Sequence, residues 1–217
     1  MREFLNKHKW TLVVTSLVIL LPIAVGLLLW DKLPEQVPIH WGINGEVDRY
    51  AGRAEAVFIM PVIMLVLQWL CTLLSQLDPK KTNNKTMWLV MWIIPVLNLF
   101  FHVIIWLAAL GREINMAAIM PLFMGALFVV IGNYLPKCRQ SYTVGIKLPW
   151  TLNDEANWNA THRLAGKLWV AGGLLTMPCA LLSGVWAFVV MMSILVMMCA
   201  IPTVYSYQYY KKHKEDE

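Results

Sequence analysis

VGIKLPWTLNDEANWNATHRLAGK, residues 144–167, is the longest polar interruption in a greasy chain, and it separates two apolar runs. Pro149 fixes its own φ and pushes Leu148 toward an extended form, so Pro149–Leu152 reads as a turn. Thr151 and Asp154 stand at the spacing of a capping box that starts a helix. Asp154 and Glu155 then fall in the first turn, where the helix dipole favours negative charge, with Arg163 and Lys167 later. Trp158, His162, Ala165 and Trp169 share one helical face. The pattern predicts an amphipathic helix at a membrane surface that runs on into the next span. A connecting loop with a good cap is the plainer alternative.

The surroundings of this stretch place it beside a bilayer. The 217 residues are 59% apolar and only 14% charged, outside the range of an ordinary soluble domain. The apolar residues come in blocks of about 20, the length that crosses a membrane, and most blocks lack the polar stripe of a soluble core helix. The expected fold is therefore an all-α integral membrane protein. It has about six transmembrane helices, an ordered outer loop and a cytosolic amphipathic helix. The spans read as 10–30, 56–74, 87–110, 116–131, 168–182 and 184–204. Each holds one proline: Pro22, Pro61, Pro95, Pro121, Pro178 and Pro202. Pro22, Pro95 and Pro178 are the interior ones, expected to kink their helices. The first apolar run ends in Trp30 and DKLPEQV, without the small-residue cleavage site of a signal peptide, and reads as a retained anchor.

Orientation follows from Lys and Arg. With the N-terminus inside, successive inner segments hold 3, 3, 5 and 3 of them and the outer segments 4, together the 18 of the chain. The positive-inside rule puts both termini in the cytosol and residues 31–54 outside. The basic balance, pI near 9.0, is then a matter of topology and needs no nucleic acid. Two modules are expected. The first is 1–80, two spans with the proline-rich outer loop 31–54. The second is 81–217, four spans with the cytosolic segment 132–167.

The outer loop reads DKLPEQVPIHWGINGEVDRYAGR. Pro34 and Pro38 favour extended backbone. Asn44-Gly45 marks a tight hairpin. His40, Trp41, Glu46, Asp48, Arg49 and Tyr50 equip it to grip something polar and aromatic, although Trp41 and Tyr50 equally suit anchoring at the headgroups. One His with Glu46 and Asp48 is a weak metal pattern, and an ordered cap on the bundle is the favoured reading. The four cysteines are far apart with no metal spacing, so no metal or cofactor is expected. Within the spans lie Gln68, and Asn98 and His102 one turn apart. Such groups are expensive in a bilayer unless partnered. Interhelical hydrogen bonding is favoured over a proton relay. No phosphate loop, HExxH or nucleophile with a base at a recognisable spacing appears, and no enzyme is expected.

These residues resemble the SdpI family of bacterial immunity proteins. In the outer loop the resemblance rests on Leu33-Pro34, Pro38-Ile39-His40-Trp41, Gly45, Asp48 and Tyr50, a small domain of unknown function often found ahead of such proteins. Farther on it rests on Gly132-Asn133, Gly145-Ile146-Lys147, Pro149-Trp150-Thr151-Leu152, Trp158 and Arg163-Leu164-Ala165-Gly166-Lys167. The tyrosine-rich tail 205–212 is also similar. Lys147 and Leu148 depart from the family's more usual arginine and threonine, which keeps the charge but loses the forked guanidinium.

The resemblance implies a multi-pass protein of the bacterial plasma membrane that binds a secreted peptide toxin and protects its producer. It also implies signalling, by holding a cytosolic ArsR-like transcriptional repressor at the membrane without direct contact to nucleic acid. On this reading the outer-loop residues meet toxin and membrane lipid surrounds the helices. Asn133, Gly145, Lys147, Pro149, Trp150, Thr151, Trp158, His162 and Arg163 then form the cytosolic signalling motif. The alternative is a small polytopic transporter or membrane enzyme using Gln68, Asn98 and His102 as a polar intramembrane site, and an orphan relative with a housekeeping role is a third.

Overall fold

In the computed structural model, residues 2–80 and 83–214 are described; Lys81, one of the basic residues counted above, lies outside them. The chain runs α1 (Arg2–Leu28), a 3-10 turn, β1 (Gln36–Trp41), β2 (Val47–Gly52), α2 (Arg53–Leu77), α3 (Asn84–Ala109), α4 (Met116–Tyr134), a 3-10 turn (Leu135–Lys137), α5 (Pro149–Asn153), α6 (Glu155–Thr176), a 3-10 turn (Met177–Leu181) and α7 (Gly184–Lys214). Among the described residues, six helices are long and apolar enough to cross a membrane. Their outward faces carry exposed Leu17, Val66, Leu175 and Val196, as lipid-facing surface requires and water-facing surface does not. This is a multi-pass, all-α membrane protein.

By packing, the chain divides into two units, Met1–Gln76 with Met87–Asn115, and Leu77–Thr86 with Met116–Glu217. The third span thus goes with the first two, not with the last three.

In the first unit the outer loop is an antiparallel hairpin, pairing Val37 with Ala51 and Pro38 with Tyr50. Its turn closes through the Gly42 N–H to Glu46 carbonyl bond (2.8 Å) and the Gly45 N–H to Gly42 carbonyl bond (2.9 Å), with Gly45 at φ 83°, where a glycine costs nothing. Val37 and Ala51 are buried with Leu33, Ala56, Val57, Ile105 and Trp106, and half-buried Trp41 packs on that cluster. The Arg53 Nε–H donates to the Pro34 carbonyl (3.2 Å) and pins the entry to the hairpin.

In the second unit, Gly125 and Gly132 of α4 lie so close to α6 that a Cβ on either would come within 3 Å of α6 backbone. Small residues let helices approach in this way where apolar burial offers little drive. Phe128, Cys179, Ala187, Ile194 and Met198 form the apolar core there.

Three sequence expectations change. α6 begins at Glu155, where the sequence pattern starts a helix, because Asp154 caps it by accepting the Ala156 N–H (2.8 Å). It does run on into the span, but its polar residues Asn157, Thr161 and His162 are buried, turned into the protein and not onto a surface. Thr151 and Asp154 do not form one capping box. Thr151 Oγ1 accepts the Leu148 N–H (2.9 Å) at the start of α5, and Asp154 starts α6. Pro178 lies in the first turn of the 3-10 segment after α6 ends, not within a kinked helix, a position where its missing N–H has no partner to lose.

Candidate functional site

The chain between α4 and α6 has little regular structure, so its backbone groups must find partners elsewhere. They find them on side chains from three directions. Asp78, 4% exposed, takes the Tyr142 and Thr143 N–H groups (2.7 and 2.9 Å) and the Thr143 hydroxyl (2.9 Å) on Oδ2, and the Lys80 N–H (2.9 Å) on Oδ1. Charge-assisted bonds of this kind are the strong ones. Lys80 Nζ donates to Gln140 Oε1 and the Leu152 carbonyl and stands 5.6 Å from the Tyr142 ring. Gln140 Nε2 in turn donates to the Thr151 and Leu152 carbonyls (2.8 and 3.0 Å).

α6 supplies the floor. Trp158, wholly buried, donates Nε1–H to the Cys138 carbonyl (2.9 Å) and stacks on His162, ring centroids 4.1 Å apart. The Ile146 N–H donates to His162 Nε2 (2.9 Å), so that nitrogen is the acceptor and Nδ1–H donates to the Trp158 carbonyl (2.8 Å). Both ring nitrogens are occupied and the imidazole is neutral. Gly145, at φ +128°, passes over this pair. A Cβ there would meet Trp158 at 2.5 Å and His162 Nε2 at 2.7 Å, so glycine is required twice over. Burial pushes the Cys138 thiol above its usual range, partly offset by the Thr86 hydroxyl donating to its sulfur.

α7 closes the assembly. Trp150 donates Nε1–H to Ser206 Oγ (2.9 Å) and packs against Tyr207 and Tyr210. Asn157 Nδ2 donates to the Ser206 carbonyl (2.9 Å), and Thr161 donates to Asn157 Oδ1 (3.0 Å).

Of the motif residues named from sequence, Gly145, Trp150, Thr151, Trp158 and His162 meet in this knot, with Pro149 opening α5. Lys147 is exposed and only reaches the Thr143 carbonyl (3.2 Å). Asn133 lies outside, exposed on α4 and bonded to the Val129 carbonyl. Arg163 is exposed as well and, among the described residues, takes no part in the hydrogen bonds of Trp158 and His162. Asp78, Lys80, Gln140, Asn157 and Ser206 were missed; nothing local in the sequence marks them.

In the hairpin, His40 Nδ1 and Asp48 Oδ1 are 2.6 Å apart, with the side chains 58% and 52% exposed. Glu46, Arg49 and Tyr50 are exposed beside them, and Asn44 donates to Glu46 (2.8 Å). No group of three metal-binding side chains occurs among the described residues. In the first unit's helices Gln68 donates to Thr15 Oγ1 (2.6 Å) and Asn98 to the Ile19 carbonyl (2.9 Å), both between helices. His102 donates to Asn98's carbonyl, not its side chain. Gln68 Oε1, Thr72 Oγ1, Asn98 Oδ1, His102 Nε2 and Trp106 Nε1 are buried without a partner among the described residues.

Residues 137–206, from the base of the knot to Ser206, match the SdpI/YfhL protein family. Residues 17–65, which hold the hairpin, match a domain of unknown function, DUF1648. The chain is also similar to the immunity protein SdpI of Bacillus subtilis (strain 168), 26% identical over 200 residues, which cover 92% of this chain and 96% of that protein. No solved structure matches. Asp78 and Lys80 lie ahead of the SdpI/YfhL region, so the knot is completed by residues that the family stretch does not contain.

Proposed function

We propose that this chain is a membrane immunity protein: it lies in a bacterial plasma membrane with both termini in the cytosol, holds the β1–β2 hairpin outside, and protects its cell from a secreted, membrane-active peptide. The observation that carries this reading is the match to an immunity protein over nearly the whole of both chains, hairpin and knot included. The excess of Lys and Arg on one side of the spans supports the orientation. The hairpin is anchored by Val37, Ala51 and Trp41 and leaves His40, Glu46, Asp48, Arg49 and Tyr50 exposed to a polar and aromatic ligand. At the other membrane face, a groove bordered by Trp150, Asp154, Glu155, Tyr210 and His213 offers a cytosolic ArsR-like repressor a docking surface. The role is binding, not catalysis.

The test is survival of a sensitive bacterium expressing this chain, challenged with an SdpC-type peptide and, separately, with an unrelated pore-former. Protection against the first alone is expected, lost in the His40→Ala, Asp48→Ala variant at unchanged membrane level. No protection by a chain shown to be in the membrane would overturn the reading.

The partnerless polar atoms around Gln68, Asn98 and His102 favour a second reading, a transporter or membrane enzyme with a polar path through the first unit. On that reading protection is broad, and it disappears in the Asn98→Ala, His102→Ala variant.

A further inference from the structure

Gly166 of α6 fixes a level in the second unit. A Cβ added there would lie 2.5 Å from Pro136 Cγ and 2.9 Å from the Gly132 carbonyl. Gly166 therefore stands beside the end of the fourth span, Met116–Lys137. With a rise of about 1.5 Å per residue, roughly 16 Å of α6 lies beyond that level, toward Glu155. Arg163 and Lys167 sit one turn apart on either side of Gly166, and so stand where the bilayer's apolar core gives way to headgroups.

Both side chains are exposed. Neither makes a hydrogen bond or ion pair among the described residues. The unit's described carboxylates are engaged or distant. Asp78 is sealed in its own nest and Asp154 caps α6, while Glu155 lies eight residues away from Arg163, off its i±3 and i±4 positions. Between the two cations and the neighbouring elements runs a groove of about 440 Å3, walled by Pro136, Ala160, Leu164 and Tyr205. Two unpaired cations beside an apolar trough at headgroup depth match one kind of molecule, an anion with a hydrocarbon tail.

We infer that this groove binds an anionic phospholipid, its phosphate between Arg163 and Lys167 and the start of an acyl chain along Leu164 and Tyr205. A choline lipid carries the same phosphate but adds a cation that these two side chains repel, so the site discriminates by net headgroup charge. Arg163 supplies a planar fork for two phosphate oxygens and Lys167 a point charge.

The experiment is native mass spectrometry of the full chain in detergent, titrated with phosphatidylglycerol or phosphatidylcholine of identical chains. Wild type is expected to retain the glycerol lipid in preference. Arg163→Gln with Lys167→Gln should weaken that binding about thirty-fold, about five-fold for each charge. Arg139→Gln with Lys212→Gln, which removes equal charge away from the groove, should change it less than about two-fold. Ala160→Trp fills the trough with both charges in place and should also displace the lipid. Equal loss in the two double variants would reduce the effect to diffuse surface charge and overturn the proposal. So would unimpaired binding in Ala160→Trp, or full competition by inorganic phosphate, which would mean that the tail is not recognised.

Discussion

Replacing Gly145 with alanine tests the knot at its tightest point. The residue's φ of +128° belongs to backbone that side-chain-bearing residues rarely adopt, a strain of about 1–3 kcal/mol. The new Cβ would also stand 2.5 and 2.6 Å from two carbons of the Trp158 ring. Trp158 is wholly buried and stacked on His162, so the ring has no free side to move into. Relief comes only by lifting the loop, which parts the Ile146 N–H from His162 or the Trp158 N–H from the Cys138 carbonyl. One buried donor left unpaired costs about 1–3 kcal/mol. Together the penalty is about 2–6 kcal/mol, and at the low end it raises the population of an opened loop about thirty-fold. Cys138, 5% exposed in the same loop, reports that opening. Maleimide labelling at Cys138, read by mass spectrometry of its peptide, should quicken by at least that factor. Gly52→Ala, whose Cβ meets nothing within 4 Å, should melt and label like the wild type. A Gly145→Ala protein that labels no faster than Gly52→Ala would refute the account of the knot.

Asp78→Ala leaves four donors facing no acceptor and should cost more than Asp78→Asn, which leaves at least one unpaired at about 1–3 kcal/mol; thermal melts in detergent rank the two. Trp150→Phe keeps a ring against Tyr207 and Tyr210 but drops the bond to Ser206, a loss of about 1 kcal/mol that the same melt resolves. Gln68→Leu removes both a bond to Thr15 and a buried partnerless oxygen. It should be close to neutral, within about 1 kcal/mol, and a large loss would mean that the oxygen has a partner in the membrane. The folded Cys138 thiol ionises above its usual 9.0, so the unfolded chain loses its proton first. Its contribution to stability is full below that value and falls as pH rises past it, which denaturation midpoints at pH 8 and pH 10 compare.

The spans and the hairpin were legible because they rest on local signals: apolar blocks of bilayer length, and Pro38 and Asn44-Gly45 at a turn. The buried face of α6 was not, since hydropathy sees Asn157, Thr161 and His162 as polar and cannot tell that they face inward. The motif Gly145, Trp150, Trp158, His162 could be pointed to, but not explained. Gly145 is needed because of an aromatic ring thirteen residues on, and His162 because it accepts a backbone N–H. Asp78 was invisible for a plainer reason. It is one carboxylate at the end of an apolar run, and apart from the Lys80 N–H the groups it holds are 64 and 65 residues away. Pairings at such separations leave no period in the sequence to read.

The knot also constrains the signalling step of the proposed function. An equilibrium can be shifted only by a ligand that favours one of two arrangements, and those must differ at some definite contact. Ser206 is the contact at which α5, α6 and α7 all meet, its hydroxyl taking Trp150 and its carbonyl taking Asn157. Sliding α7 by one turn moves Ser206 about 5.4 Å and breaks both bonds at once, whereas a tilt that pivots on Ser206 breaks neither. The groove bordered by Trp150 and Tyr210 is formed from both sides of this contact. A slide therefore remakes the docking surface and a tilt preserves it. On the immunity reading proposed above, toxin engagement that changes repressor capture works through the first kind of motion. Asn157→Leu and Trp150→Phe, which cut the two bonds separately, should then alter capture while leaving the hairpin, and so protection, as it was.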